Sequence, residues 1–226
     1  ARVWLKSVIS LLRSVREDKG IGPALATAGS GPSRPQEAGC RGNRREEAAM
    51  IHHRIADFTD AYANTKYIAG GDRYPALWAE RAASWREKAS GRFIILRKRA
   101  YGPHERNHYD LFLPEGTPRG LVIFVHGGYW MSLDPSFWSH LAEGAVSRGY
   151  AVAMPGYVLC PEVRISDISR QVAEAISHAA ALVEGPIHLS GHSAGGNIVT
   201  RLMAAGSPLP ETVQERVASV LSISGL

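Results

Sequence analysis

From residue 120 onward, short apolar runs alternate with amphipathic segments, and this alternation narrows the possible folds more than any other feature of the sequence. Leu121–Val125 is a continuous apolar run, the pattern of a strand buried on both faces. Residues 137–148 read as a helix stopped by Gly149, followed by a strand at 151–154. The next helix, 165–183, has apolar residues at 165, 168, 172, 176, 179 and 183, three or four apart. A strand at 187–189, a helix at 194–205 and a strand at Val217–Ile223 complete the series. Parallel neighbours need crossover connections, so the pattern calls for an α/β fold: a mostly parallel sheet with helices on both faces. Upstream, Tyr74–Ala89 places Trp78, Ala82 and Trp85 at helical spacing. Residues 93–99 and His108–Leu113, parted by Gly102-Pro103, read as an antiparallel pair.

Two glycine-containing turns carry the chemistry. Gly191-His192-Ser193-Ala194-Gly195 lies between a predicted strand and a predicted helix, the context of a G-x-S-x-G nucleophile elbow. Ser193 must sit on a strained turn for its hydroxyl to project above the sheet. The flanking glycines remove Cβ atoms that would strike neighbouring backbone, and the helix start offers free N–H groups to a developing negative charge. A phosphate loop would require G-x-x-x-x-G-K-[ST], and the lysine is missing. His126-Gly127-Gly128-Tyr129-Trp130 follows the buried strand Leu121–Val125, where glycines let backbone N–H groups approach a reacting carbonyl closely. His126 itself reads as a structural residue that holds this loop by hydrogen bonds.

Other features argue against other functions. The net charge of +5 is concentrated in residues 1–49, which hold 9 basic and 5 acidic side chains, so the main body is nearly neutral and carries no nucleic-acid stripe. Arg97-Lys98-Arg99 reads as part of a strand and its edge. No apolar run approaches the roughly 18 residues of a membrane span. Two cysteines, Cys40 and Cys160, suit a reducing, cytoplasmic setting. His104-Glu105-Arg106-Asn107-His108 matches the zinc pattern H-E-x-x-H. It runs into a strand rather than lying on a helix, so no shared ligand face and no metal are expected. His52-His53 has no partner cluster and reads as solvated. Residues 1–19 are amphipathic and 20–49 are rich in Gly, Pro, Ala, Ser and Arg. With Met50 the first methionine, we read residues 1–49 as a disordered or non-native extension translated in frame, a targeting peptide being the alternative.

Three motifs together resemble the α/β-hydrolase superfamily over residues 60–226, and within it the kynurenine formamidase (arylformamidase) and small-carboxylesterase branch. They are His126-Gly127-Gly128-Tyr129-Trp130, Gly156-Tyr157-Val158-Leu159-Cys160-Pro161-Glu162 and Gly191-His192-Ser193-Ala194-Gly195-Gly196. Tyr129-Trp130 stands where the lipase-like group has a third glycine, which favours the formamidase-like branch. The resemblance implies Ser193 as nucleophile and the amides of Gly128, Tyr129 and Ala194 as oxyanion hole. Tyr129 and Trp130 would line the substrate pocket, with core packing the alternative for Trp130. Glu162 would brace the turn after Pro161. The implied substrate is a small molecule, N-formylkynurenine or a short acyl ester, and no cofactor is required.

A triad of this family runs Ser, then Asp or Glu, then His. After Ser193 the chain contains no Asp and no His, only Glu211 and Glu215 as acids. Six strands are countable from residue 93 where the family has about eight, and such a fold runs to about 250 residues. The expectation is therefore that residues 50–226 are a partial α/β-hydrolase domain, truncated at the C-terminus and itself inactive. A non-catalytic binding module built on the same fold is the rival from another class.

Overall fold

The computed structural model describes residues 56–225. The readings of residues 1–49, Cys40 and His52-His53 lie outside the described residues. The described chain divides into two compact units, 56–71 and 72–225. In the first, a one-turn helix α1 (Phe58–Ala61) is capped by the Asp57 carboxylate, which accepts from Asp60 N at 3.1 Å. A 3-10 turn (Asn64–Tyr67) follows. The Asp60 carboxylate accepts from the Lys66 ammonium and the Tyr67 hydroxyl.

The second unit is built on six strands: β1 (Ile94–Ala100), β2 (His108–Leu113), β3 (Leu121–Val125), β4 (Ala151–Pro155), β5 (Ile187–His192) and β6 (Val217–Ile223). Their order is β1-β2-β4-β3-β5-β6, antiparallel from β1 through β4 and parallel from β4 through β6. This is the mixed, mostly parallel sheet that the sequence pattern demands. All five residues of β3 are buried, and they divide between two layers. Leu121, Ile123 and Val125 face helices α4 (Ile165–Ala180) and α5 (Ala194–Arg201) through Ile168, Val172, Ile176 and Ile198. Val122 and Phe124 face Trp138, Ala142 and Val146, with Trp78 and Trp85 of α2 (Tyr74–Ala89) packed on top. Burying each such side chain contributes about 1.5–3 kcal/mol, so the central strand is held from both sides. Among the described residues no helix is long and apolar enough to cross a membrane.

Three elements depart from the expected pattern. The helix expected at 137–148 is instead two 3-10 turns, Pro135–Phe137 and Ser139–Ala142, and one short helix α3 (Glu143–Val146). Side-chain docking decides the path here. The buried Trp138 ring packs at a tilt against that of Trp78, centroids 4.8 Å apart, and the Arg86 guanidinium donates to Ser136 O and Ser139 Oγ, both at 2.8 Å. Gly149 still ends the segment, at φ +82°. The helix expected to reach residue 183 stops at Ala180, because the Arg216 guanidinium takes the Ala180, Val183 and Gly185 carbonyls. The helix after Ser193 ends at Arg201 rather than 205, in a turn closed by the Arg201 side chain on the Ala205 and Gly206 carbonyls. At the edge, β1 bulges between Leu96 and Arg99. The buried Asp110 carboxylate holds that bulge, accepting from Lys98 N at 2.9 Å and from Arg97 Nε at 3.2 Å.

Candidate active site

The first turn connects β5 to α5 through a single residue. Ser193 stands at φ 54°, ψ −120°, a positive-φ conformation that an L-residue adopts at a cost of about 1–3 kcal/mol. Its neighbours hold it there: Ser193 N donates to Ile223 O of β6 at 2.8 Å, and Asn197 N donates to Ser193 O at 3.1 Å. The glycines on either side are required by contact. A Cβ on Gly191 would lie 2.2 Å from Gly195 O, and one on Gly195 would lie 2.1 Å from Val125 O. Helix α5 therefore starts against the end of β3, and its first-turn N–H groups, Ala194 among them, have no acceptor within the helix.

The second turn leaves β3 and touches the first. A Cβ on Gly127 would be 2.7 Å from His192 O and 3.0 Å from the Ser193 Cβ, so the two turns are in van der Waals contact. Three successive residues then have positive φ: Gly128 at 117°, Tyr129 at 53° and Trp130 at 57°. Gly128 O accepts from Met131 N at 2.9 Å and from Ser132 N at 3.0 Å. The result is one left-handed turn. Gly128, Tyr129 and Trp130 N–H donate to no backbone acceptor among the described residues. The expected donors Gly128 and Tyr129 thus lie at the open end of a turn, beside the start of α5. Trp130 N–H shares that position and escaped the sequence reading, because nothing in a Gly-Gly-Tyr-Trp string announces consecutive left-handed residues.

His126 is buried, and its Nδ1–H donates to Gly127 O at 2.8 Å, which fixes the tautomer. Burial pushes its pKa down to about 4, so the ring is neutral near pH 7. That geometry is the loop-holding role read from the sequence. Trp130 packs against the core beside Leu159, Cys160 and Val163, and its indole nitrogen is buried with no hydrogen-bond partner among the described residues. Glu162 is exposed and meets His104 Nε2 at 3.1 Å, tying together the turns that carry them. His104 lies in that turn and His108 opens β2, so the H-E-x-x-H pattern is not on a helix. Among the described residues no cluster of three or more His, Cys, Asp or Glu could hold a metal.

Several imidazoles have other commitments. His126 Nδ1 bonds Gly127 O, His188 Nδ1 meets Ser219 Oγ at 2.8 Å, and His108 Nδ1 meets Glu105 O at 2.8 Å. Glu211 opens the short helix α6 (Glu211–Gln214), just before β6. Glu215 lines an open cavity of about 430 Å³ with Gly185, Pro186 and Arg216. That cavity lies at the start of β5 and β6, the opposite end of the sheet from Ser193, and has no part in this chemistry.

The family described as the alpha/beta hydrolase family matches residues 122–225. A crystal structure from Silicibacter sp. TM1040, described as a candidate thioesterase, is 53% identical with a TM-score of 0.69, over 74% of this chain and 63% of that one. This is an α/β-hydrolase fold. The kynurenine formamidase of Salmo salar is 32% identical over 127 residues, 52% of this chain and 42% of that protein. An isoprenylcysteine alpha-carbonyl methylesterase of Arabidopsis thaliana is 32% identical over 112 residues, 46% of this chain and 26% of that protein. These likenesses support an α/β-hydrolase of the formamidase and esterase branch. The chain spans less than half the length of the curated relatives it matches.

Proposed function

We propose that this chain carries the nucleophile and the oxyanion hole of a serine hydrolase for an aryl formamide, N-formylkynurenine being the first choice, or for a small ester. One observation carries the reading: two strained turns touch, one presenting Ser193 at φ 54° and the other a row of amides without backbone acceptors among the described residues. Strain held at such a point is more often functional than structural. The formamidase likeness and the Tyr129-Trp130 pair favour the formamide over the ester.

In this reading the Ser193 hydroxyl oxygen bonds to the formyl carbon while its proton passes to a base and the carbonyl electron pair moves onto oxygen. The oxyanion accepts from Gly128, Tyr129 and Ala194 N–H, each such donor contributing about 10²–10³ in rate. Collapse of this intermediate breaks the C–N bond, and the amine leaves with a proton. Water then hydrolyses the formyl ester, releasing formate and restoring the serine. The route calls on no cofactor. Residues 194–226 contain neither His nor Asp, so they do not supply the base. In ester form the same steps apply with an alcohol leaving.

Imidazole in the buffer offers Ser193 a base from solution. N-formylkynurenine hydrolysis is expected to exceed the buffer rate and to rise with imidazole, and Ser193→Ala should lose the imidazole-dependent part. Equal rates in parent and variant would overturn the reading and leave the non-catalytic module ahead. Trp130→Ala separates the substrate classes. An aromatic wall contributes about 0.5–1.5 kcal/mol, so kcat/KM should fall about 2- to 12-fold more for the aryl formamide than for a short aliphatic ester. Equal losses would put the esterase reading first.

A further inference from the structure

The segment after β4 is fixed one residue at a time by side chains from elsewhere in the unit. The Tyr101 hydroxyl donates to Gly156 O at 2.8 Å, and Arg106 Nε donates to Tyr157 O at 2.8 Å. Val158 N donates to Gln171 Oε1 of α4 at 2.9 Å, and Asn107 Nδ2 donates to that same oxygen at 2.9 Å. Tyr157 is therefore a fully buried side chain on a rigid stretch of backbone. It bears directly on the loop after β3. Its ring stacks on the His126 imidazole with centroids 4.4 Å apart and planes 9° from parallel, and its hydroxyl donates to His126 O at 2.9 Å. Two further ties join the same segments. Cys160 N donates to Trp130 O at 2.8 Å, and Arg106 Nη2 donates to Leu133 O at 2.6 Å while its Nε holds Tyr157 O.

The consequence follows from the planarity of the peptide group. In a trans peptide the C=O and the next residue's N–H point in opposite directions, so holding the oxygen aims the N–H. His126 O is held by Tyr157, and Gly127 O is held by the His126 ring against which Tyr157 stacks. The N–H paired with Gly127 O is that of Gly128. We propose that Tyr157 is a positioning residue: acting through His126 and Gly127, it aims the Gly128 amide at the Ser193 side of the loop. It touches no substrate. This role rests on the hydrolase reading above for its catalytic consequence, but not for its structural one.

Tyr157→Phe removes only the hydroxyl and keeps the stack. Two measurements on the 226-residue chain test the role: hydrolysis of p-nitrophenyl acetate above buffer, and amide exchange at Met131 and Ser132, whose N–H groups close the left-handed turn. Ser190→Ala serves as control, because it removes a comparable buried bond from a hydroxyl to Ile123 O, 2.7 Å long, that joins β5 to β3 and does not touch the loop residues 126–132. Tyr157→Phe should lower kcat about 10-fold at unchanged KM, less than the 10²–10³ lost with an oxyanion donor itself, and should speed exchange at both amides. Ser190→Ala should do neither. Wild-type kcat in Tyr157→Phe, with or without faster exchange, overturns the proposal, and so does a lower kcat with unchanged exchange. If the parent shows no hydrolysis above buffer, the hydrolase reading fails instead, and the exchange result alone decides whether Tyr157 holds the loop.

Discussion

The two turns that meet at Ser193 are rigid for different reasons. The elbow is held by regular structure: β5 runs into it, α5 runs out of it, and β6 takes the Ser193 amide. Its strain is confined to one residue, and its glycines are dictated by backbone atoms about two ångströms from where a Cβ would stand. The loop after β3 has three successive positive-φ residues and no helix or strand to hold them. It depends on ties to Tyr157, Cys160 and Arg106, all distant in sequence. The proposed nucleophile, fixed by the sheet, and the proposed donor amides, fixed by cross-links, can be altered separately.

The largest expected effect breaks the elbow. Gly195→Ala forces a Cβ onto Val125 O, a backbone atom that cannot swing away. Overpacking of this kind should cost about 3 kcal/mol, read as a lower urea midpoint and a loss of soluble yield. A near-neutral result would mean that α5 is free to shift and that the elbow is no more rigid than the loop.

Acid should act next, and through the loop. Burial lowers the His126 pKa to about 4 from an unfolded value near 6.5, so the unfolded chain takes up the proton first. Stability is then full above about pH 6.5 and declines by roughly 2–3 kcal/mol as the pH falls toward 4. His140, also pushed down to about 4 by burial, acts in the same direction. His126→Asn keeps a donor for Gly127 O but does not ionise in this range. Its urea midpoint should fall less steeply between pH 7 and 4.5 than that of the parent, and parallel slopes would remove His126 from the account.

The smallest effect sharpens the contrast. Tyr129→Gly relieves a left-handed conformation costing about 1–2 kcal/mol but adds about 0.5–1 kcal/mol of chain entropy. The variant should therefore stay within about 1 kcal/mol of the parent, on the stabilising side. A loss as large as that of Gly195→Ala would show that the Tyr129 side chain, rather than the ties from Tyr157 and Arg106, holds the loop.

The same contrast explains what was legible in the sequence. Leu121–Val125, His108–Leu113 and Val217–Ile223 were readable because a strand buried in a sheet needs apolar residues in an unbroken or alternating run. Ser193 was readable because its flanking glycines, Gly191 and Gly195, lie within two residues on either side. The broken path of residues 135–146 was not, since Trp138 overrides a helical period by docking on Trp78 of α2, and Arg86 of α2 takes Ser136 O and Ser139 Oγ. Tyr157 was quoted within a motif, but its hold on the loop after β3 was not legible, for a related reason. Its role depends on a stack with His126, 31 positions away, and no local pattern reports such a distance.

The central claim is that the amides of the loop and the nucleophile of the elbow converge on one reacting centre. Titration with phenylboronic acid, monitored by amide NMR, tests it without requiring turnover, because a boronate on Ser193 places an oxyanion where the transition state would. The account predicts that the Gly128, Tyr129 and Ala194 amides shift together along one binding curve and that Ser193→Ala abolishes the response. Shifts confined to one turn, or persisting unchanged in Ser193→Ala, would contradict it.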